Sequence, residues 1–241
     1  MLSPSKKGFT LLELLVVIAI IILLVALLMP ALNGGTRKSK EVQCLSNMRQ
    51  LCAAWASYAG DHDGAFLSSE HGAATAWVLS GNTKDTIDQG GLWPYVKDYS
   101  VYHCPLDDSG GGINSSNNHL RSYSMSGRIN GSFGINSGAV STAERMGNLT
   151  PAAGALLFIE ENDPRGYNMG SWVINAAPST QWIDFVPAWH QNGINLAFCD
   201  GHAEHWTWKD AGTAKLSWFY ADAIGTNSYN DLKRLQAVFK P

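Results

Sequence analysis

An uncharged apolar run near the N-terminus constrains this chain more than any other feature. Residues 14–32, LLVVIAIIILLVALLMPAL, are nineteen consecutive residues without a charge, and between Phe9 and Leu32 the single charge is Glu13. As a helix rising 1.5 Å per residue, Phe9 to Leu32 would measure about 36 Å, enough to cross a hydrocarbon core of about 30 Å. Lys6 and Lys7 precede the run as a basic region precedes a secretory signal. Three features oppose that reading. The run is longer than a signal's apolar region, no small-x-small cleavage site follows it, and Glu13 lies inside it, where a carboxylate is costly without a partner.

The rest of the chain has the apolar content of one ordinary globular head. With 241 residues, 15% charged residues and a formal net charge of -3, the composition excludes a disordered chain, a multi-span transporter and a polybasic nucleic-acid surface.

The residues around Glu13 carry a resemblance. Lys6-Lys7-Gly8-Phe9-Thr10-Leu11-Leu12-Glu13 resembles the recognition site of type IV prepilins and type II secretion pseudopilins: a short basic leader ending in Gly, then Phe, then Glu at the fifth mature position. The resemblance implies that a prepilin peptidase cuts between Gly8 and Phe9 and methylates the new amine. It also implies that Glu13 sets axial register in a filament by pairing with the first amine of a neighbouring subunit, since a buried carboxylate needs such a partner. Pro30 falls where pilins of this group often carry a proline that lets the helix loosen on assembly. With Gly34 and Gly35 it either softens the helix or marks the membrane exit.

Beyond the glycines, Cys44, Leu45, Met48, Leu51, Cys52, Trp55, Tyr58 and Ala59 recur at spacings of three and four, the pattern of one helix face. A helix from Phe9 to about Gly60 would reach roughly 78 Å. It should end at Asp61-His62-Asp63-Gly64, where Gly supplies a left-handed conformation. That turn holds half of a calcium-loop pattern, but position twelve is Gly72 rather than Glu, which argues against an EF-hand.

The head reads as short strands: Ala76–Leu79, Ser100–His103, Arg121–Met125, Ala155–Ile159, Ser171–Ile174, Ile194–Cys199 and Ala203–Trp208. Ser109–Asn118 reads as a surface loop, and Asp231–Phe239 as a short helix after an Asn227-Ser228 start. The fold class is therefore α+β, a pilin fold whose long N-terminal helix packs on an antiparallel sheet. In WHQNGINLAFCDGHAEHWTW, alternating residues around Asp200-Gly201 predict a hairpin with a type I′ turn. His190, nine residues and then Asp200-Gly201 also resembles a C-terminal element of the same pilin-like group. There His190 would bond across the hairpin and Asp200 would shape the turn. His202 and His205 alternate across a strand and cannot share one metal with His190 and Asp200 without a bulge, so no metal site is expected.

Of Cys44, Cys52, Cys104 and Cys199, the favoured bridge is Cys44 to Cys104, pinning the helix to the sheet; the alternative is buried free thiols. Trp206 and Trp208 share a strand face, as a sugar-stacking platform requires, although core packing accounts for most tryptophans. The chain lacks GxSxG, HExxH and Walker A patterns and reads as a non-enzyme without a cofactor.

The resemblance implies a leader at 1–8, a transmembrane and assembly helix at 9–32 and a head outside the cytoplasm at 33–241. It implies a bacterial inner-membrane, single-pass subunit of a type II secretion pseudopilus or a related type IV pilus-like filament. Its partners would be the prepilin peptidase, the assembly platform, other pilin-like subunits and inner-membrane lipids, with no nucleic acid. The alternative is a membrane-tethered module that binds polysaccharide or a secreted substrate.

Overall fold

The computed structural model describes residues 9–81, 83–107, 120–131, 142–149, 151–162, 169–216 and 220–240. The leader with Gly8 and the expected loop Ser109–Asn118 lie outside these residues. The chain divides into two compact units, Met1–Lys40 and Glu41–Pro241.

In the first unit the described chain is almost entirely helix. Helix α1 runs Leu11–Asp61 and continues as helix through position 30 and through Gly34 and Gly35. Its apolar window has a mean hydropathy of 3.4, is long and apolar enough to cross a membrane, and is wholly exposed within the chain. Leu11, Leu15, Ile22, Leu23 and Leu28 are all more than half exposed.

The second unit starts inside α1 with Glu41. Here the three-and-four spacing takes effect: Cys44, Met48, Leu51, Cys52, Trp55, Tyr58 and Ala59 are buried on one face. The helix stops as expected, because Asp63 and Gly64 turn left-handed at φ 52° and 78° and the Gly64 N–H returns to the Ala59 carbonyl. Among the described residues, the short helix α2 (Lys84–Asp88) and the 3₁₀ segments Trp93–Tyr95 and Tyr99–Tyr102 lie between α1 and the sheet.

Five strands form one sheet: β1 (Tyr123–Ser126), β2 (Leu156–Glu160), β3 (Ser171–Trp172), β4 (Gly193–Phe198) and β5 (Ala203–Thr207), in the order β3-β1-β2-β4-β5. The pairs β1–β2, β2–β4 and β4–β5 are antiparallel, but β3 lies parallel to β1, so the sheet is mixed rather than antiparallel throughout. Both faces are covered. Leu157, Phe158 and Ala197 join the α1 side, while Leu156, Ile159, Ile194, Leu196 and Phe198 join a second core with Trp172, Trp182 and helix α3 (Tyr229–Val238). An irregularity between Leu156 and Phe158 lets consecutive residues of β2 serve the same side. Burial on both faces explains why all six residues of β4 are buried despite an alternating pattern.

Two expected strands are not strands. Ala76 makes a single bridge to Ser68, and Tyr99–Tyr102 is a 3₁₀ turn. The Asp98 carboxylate accepts the Ser100 N–H and hydroxyl, which draws that segment into a capped turn. The β4–β5 hairpin forms in the expected place with a different turn. The Gly201 N–H bonds the Phe198 carbonyl, the Phe198 N–H bonds the His202 carbonyl, and Gly201 alone in this loop has positive φ, 91°. A three-residue loop closed by a left-handed Gly replaces the type I′ turn, which would need Asp200 at positive φ as well.

Candidate functional site

The N-terminal site is built by the first turn of α1. The Thr10 hydroxyl accepts the Glu13 N–H at 3.2 Å, and the Glu13 carboxylate accepts the Thr10 N–H at 2.9 Å and its hydroxyl at 2.8 Å. This is a capping box, in which two otherwise unpaired amides at a helix start are satisfied reciprocally. Thr10-x-x-Glu13 preceding an apolar run carries this signal in the sequence, where Glu13 stands out as a charge in that run and as the fifth residue after the expected cut. The box holds Glu13 in the first helical turn, four residues from Phe9, with its carboxylate beside the helix start. Phe9 is 71% exposed.

In the head, the residues singled out from sequence separate into two places. Asp200 stays at the hairpin turn, where its carboxylate accepts the His202 N–H at 3.1 Å and meets the His202 ring. Its carboxyl lies below the usual range: burial opposes this, but the bonds and charge of His202 outweigh it. Asp200 and Gly201 also line an open cleft of about 510 Å³ against Arg49, Cys52 and Ala56 of α1. His205 bonds the Asn195 amide oxygen.

His190 goes elsewhere. Its Nε2 lies 2.7 Å from the Glu160 carboxylate at the end of β2 and 3.3 Å from the Asn195 amide, so its main partner is on the neighbouring strand rather than across the hairpin. Cys44 of α1 and Cys104, which follows the 3₁₀ turn, complete the group. The expected Cys44–Cys104 bridge is corrected here to two neighbouring free thiols, and Cys52 and Cys199 are free and buried as well. Cys44 Sγ lies 2.8 Å from Glu160 Oε1 and 2.9 Å from Tyr123 Oη, and Cys104 Sγ lies 3.4 Å from His190 Nε2. One potential ligand atom from each of Cys44, Cys104, Glu160 and His190 falls within 4.8 Å of the others, and all four side chains are buried.

The electrostatics of this cluster point one way. Burial, with the neighbouring Cys104 and Glu160, pushes the Cys44 thiol well above its usual range, and burial beside Cys44 does the same to the Tyr123 phenol. Burial alone would lower His190, but its contacts with Cys104 and Glu160 prevail and raise it to about 10. Cys44, Tyr123 and His190 are thus all shifted toward their protonated forms. Sequence reading missed Glu160, whose only mark was an acidic end to the apolar run Leu156–Ile159.

The tryptophan platform does not form. Trp208 is buried with its indole N–H on the Pro187 carbonyl, while Trp206 lies under the Arg234 guanidinium at 4.4 Å. Of the eight described tryptophans, those at 55, 77, 172, 182, 189 and 208 are core residues.

No curated protein and no solved structure matches the chain. Residues 3–29 match the family model described as the prokaryotic N-terminal methylation motif, and the match covers nothing beyond them. The apolar start of α1, capped by Thr10 and Glu13, therefore belongs to a prepilin-type N-terminal cleavage and methylation site.

Proposed function

We propose that this protein is a structural pilin-like subunit that prepilin peptidase cuts between Gly8 and Phe9 and that assembles into a type II secretion pseudopilus or a related type IV pilus-like filament. The observation that carries the reading is the methylation motif at residues 3–29 opening a helix whose apolar window is exposed among the described residues. Such a surface has two suitable environments, a bilayer and a bundle of like helices. The anchor at 9–32 holds the subunit in the inner membrane with its head, 33–241, outside the cytoplasm. Extraction by the assembly platform then exchanges lipid contacts for contacts with other pilin-like subunits. Nothing in this role requires a catalytic group in the head.

Glu13 provides the selective contact. In the isolated chain its carboxylate is held by Thr10. In the filament it also receives the methylated amine of a neighbouring Phe9, which fixes axial register because an unpaired carboxylate among apolar helices is costly. The test is Glu13→Ala in the full chain, expressed with its own peptidase and assembly machinery. Cleavage should persist while incorporation into sheared filaments falls to background. Normal incorporation of the variant would remove the assembly role of Glu13.

A further inference from the structure

Cys44, Cys104, Glu160 and His190 come from four separate elements: α1, the segment after the 3₁₀ turn, the end of β2 and the loop before β4. Each is fully buried, and their candidate ligand atoms lie within 4.8 Å of one another. Two thiols, an imidazole and a carboxylate are not a core that apolar packing selects. Taking such groups out of water is costly unless each is paired, and residues of similar volume without polar atoms would serve the core as well or better. Together they are the donor set of a tetrahedral zinc site, with soft sulfur and borderline imidazole favouring zinc over the oxygen-seeking magnesium and calcium.

The distances add to this. Cys44 Sγ approaches oxygen atoms of Glu160 and Tyr123 to 2.8 and 2.9 Å, as close as an ordinary N–H···O bond although sulfur is the larger atom. The groups are drawn in around a common centre. Outer contacts hold the ligands in place. The Asn195 N–H donates to Glu160 Oε2 at 2.9 Å, leaving Oε1 facing inward; the Leu106 N–H approaches Cys104 Sγ at 3.4 Å; and Tyr123 Oη touches Cys44 Sγ. Ligand-orienting contacts of this kind accompany metal centres. Among the described residues His190 has no hydrogen-bonding partner on Nδ1, and its polar contacts are made through Nε2, the nitrogen that faces the cluster.

We propose that Cys44, Cys104, Glu160 and His190 bind one zinc ion that staples α1 to the sheet of the head. Four protein ligands and complete burial leave no open coordination position, so the site is structural rather than catalytic. Binding releases to solvent the protons of the two thiols and the extra proton of the His190 ring, so that the sulfurs enter as thiolates, His190 as the neutral ring and Glu160 as carboxylate. The ion also keeps both sulfurs as thiolates in an oxidising compartment, where two cysteines this close would otherwise be open to bridging. His190, the first residue of the C-terminal His-x9-Asp-Gly element, thereby gains a defined role as a ligand.

The test uses the full chain purified in mild detergent without chelators or a metal-affinity tag. Elemental analysis should find about one zinc per chain. Exchange with cobalt should produce the visible bands of a tetrahedral ion and the near-ultraviolet sulfur-to-cobalt band of thiolate ligation. Cys52→Ser should keep the metal, whereas Cys44→Ser and His190→Ala should each lower it at least tenfold. The cobalt spectrum is read on the unaltered chain and does not depend on the variants folding. Three results would overturn the proposal: metal-free protein with a Cys44–Cys104 disulfide on peptide mapping, metal-free protein with both thiols free, or zinc retained in the Cys44 and His190 variants.

Discussion

Replacing Asp231 with Ala should destabilise the head by an amount that the structure allows to be worked out. Asp231 is fully buried at the start of α3, and its carboxylate accepts the N–H groups of Lys209 and Asp210, the Thr213 hydroxyl and the Arg234 guanidinium, all at 2.8–3.1 Å. Asp210 answers from the opposite side. Its carboxylate accepts the N–H groups of Asn230 and Asp231, so it caps the helix that Ser228 leaves uncapped. In Asp231→Ala, Arg234 can turn to solvent and Lys209 is exposed, but the Asp210 N–H and the Thr213 hydroxyl are left buried without a partner. At 1–3 kcal/mol for each buried orphan, the expected loss is about 3 kcal/mol. For a domain of about 200 residues this lowers Tm by about 6–12 °C. Asp231→Asn keeps one acceptor oxygen and should lose about half as much. Thermal unfolding of the full chain in detergent, followed by near-ultraviolet circular dichroism of the buried tryptophans, reads the head without interference from the membrane helix. A shift below about 2 °C for Asp231→Ala would refute the reasoning, because it would mean those donors find water or that the network is not formed.

The remaining predictions concern the thiols and two glycines. Burial and the neighbouring Asp200 push the Cys199 thiol up to about 12, and burial raises Cys52 further. At pH 8 the thiolate of Cys199 should then be about three orders of magnitude scarcer than that of an unperturbed cysteine, so native-state iodoacetamide labelling followed by mass spectrometry should be at least about a hundredfold slower than in the unfolded chain. Labelling at the unfolded rate would contradict the buried environment. Gly193→Ala would place a Cβ 2.4 Å from the Trp206 carbonyl oxygen, a backbone atom that cannot swing away, and should cost about 2–3 kcal/mol in denaturant unfolding. Gly201→Ala meets open space but must hold φ 91°, and should cost only about 1–2 kcal/mol. Equal costs at the two positions would mean that the hairpin is not packed as described.

The elements that the sequence made legible are those whose signal is local. The buried face of α1 from Cys44 to Ala59, the left-handed stop at Gly64 and the β4–β5 hairpin all follow from spacing and turn chemistry within a few residues. The turn type was misread because Asp-Gly suits two hairpin geometries, and only the backbone at Asp200 separates them. Ser100–His103 reads as a strand because its β-forming side chains outweigh Asp98, whose carboxylate caps the 3₁₀ turn Tyr99–Tyr102. The Cys44, Cys104, Glu160 and His190 cluster was not legible as a unit, because 60, 56 and 30 residues separate its successive members and only the sheet brings them together. The Asp210–Asp231 exchange is non-local in the same way. The N-terminus is the opposite case: eight adjacent residues carry the processing site, and Thr10-x-x-Glu13 within them also caps the helix.

The most direct test of the central claim is intact and N-terminal peptide mass spectrometry on protein purified from its native membrane. The purified chain should begin at Phe9 with a methylated amine, the first eight residues removed. A chain retaining Met1, or one cut beyond residue 30, would contradict it and leave an anchored or secreted head with no place in a filament.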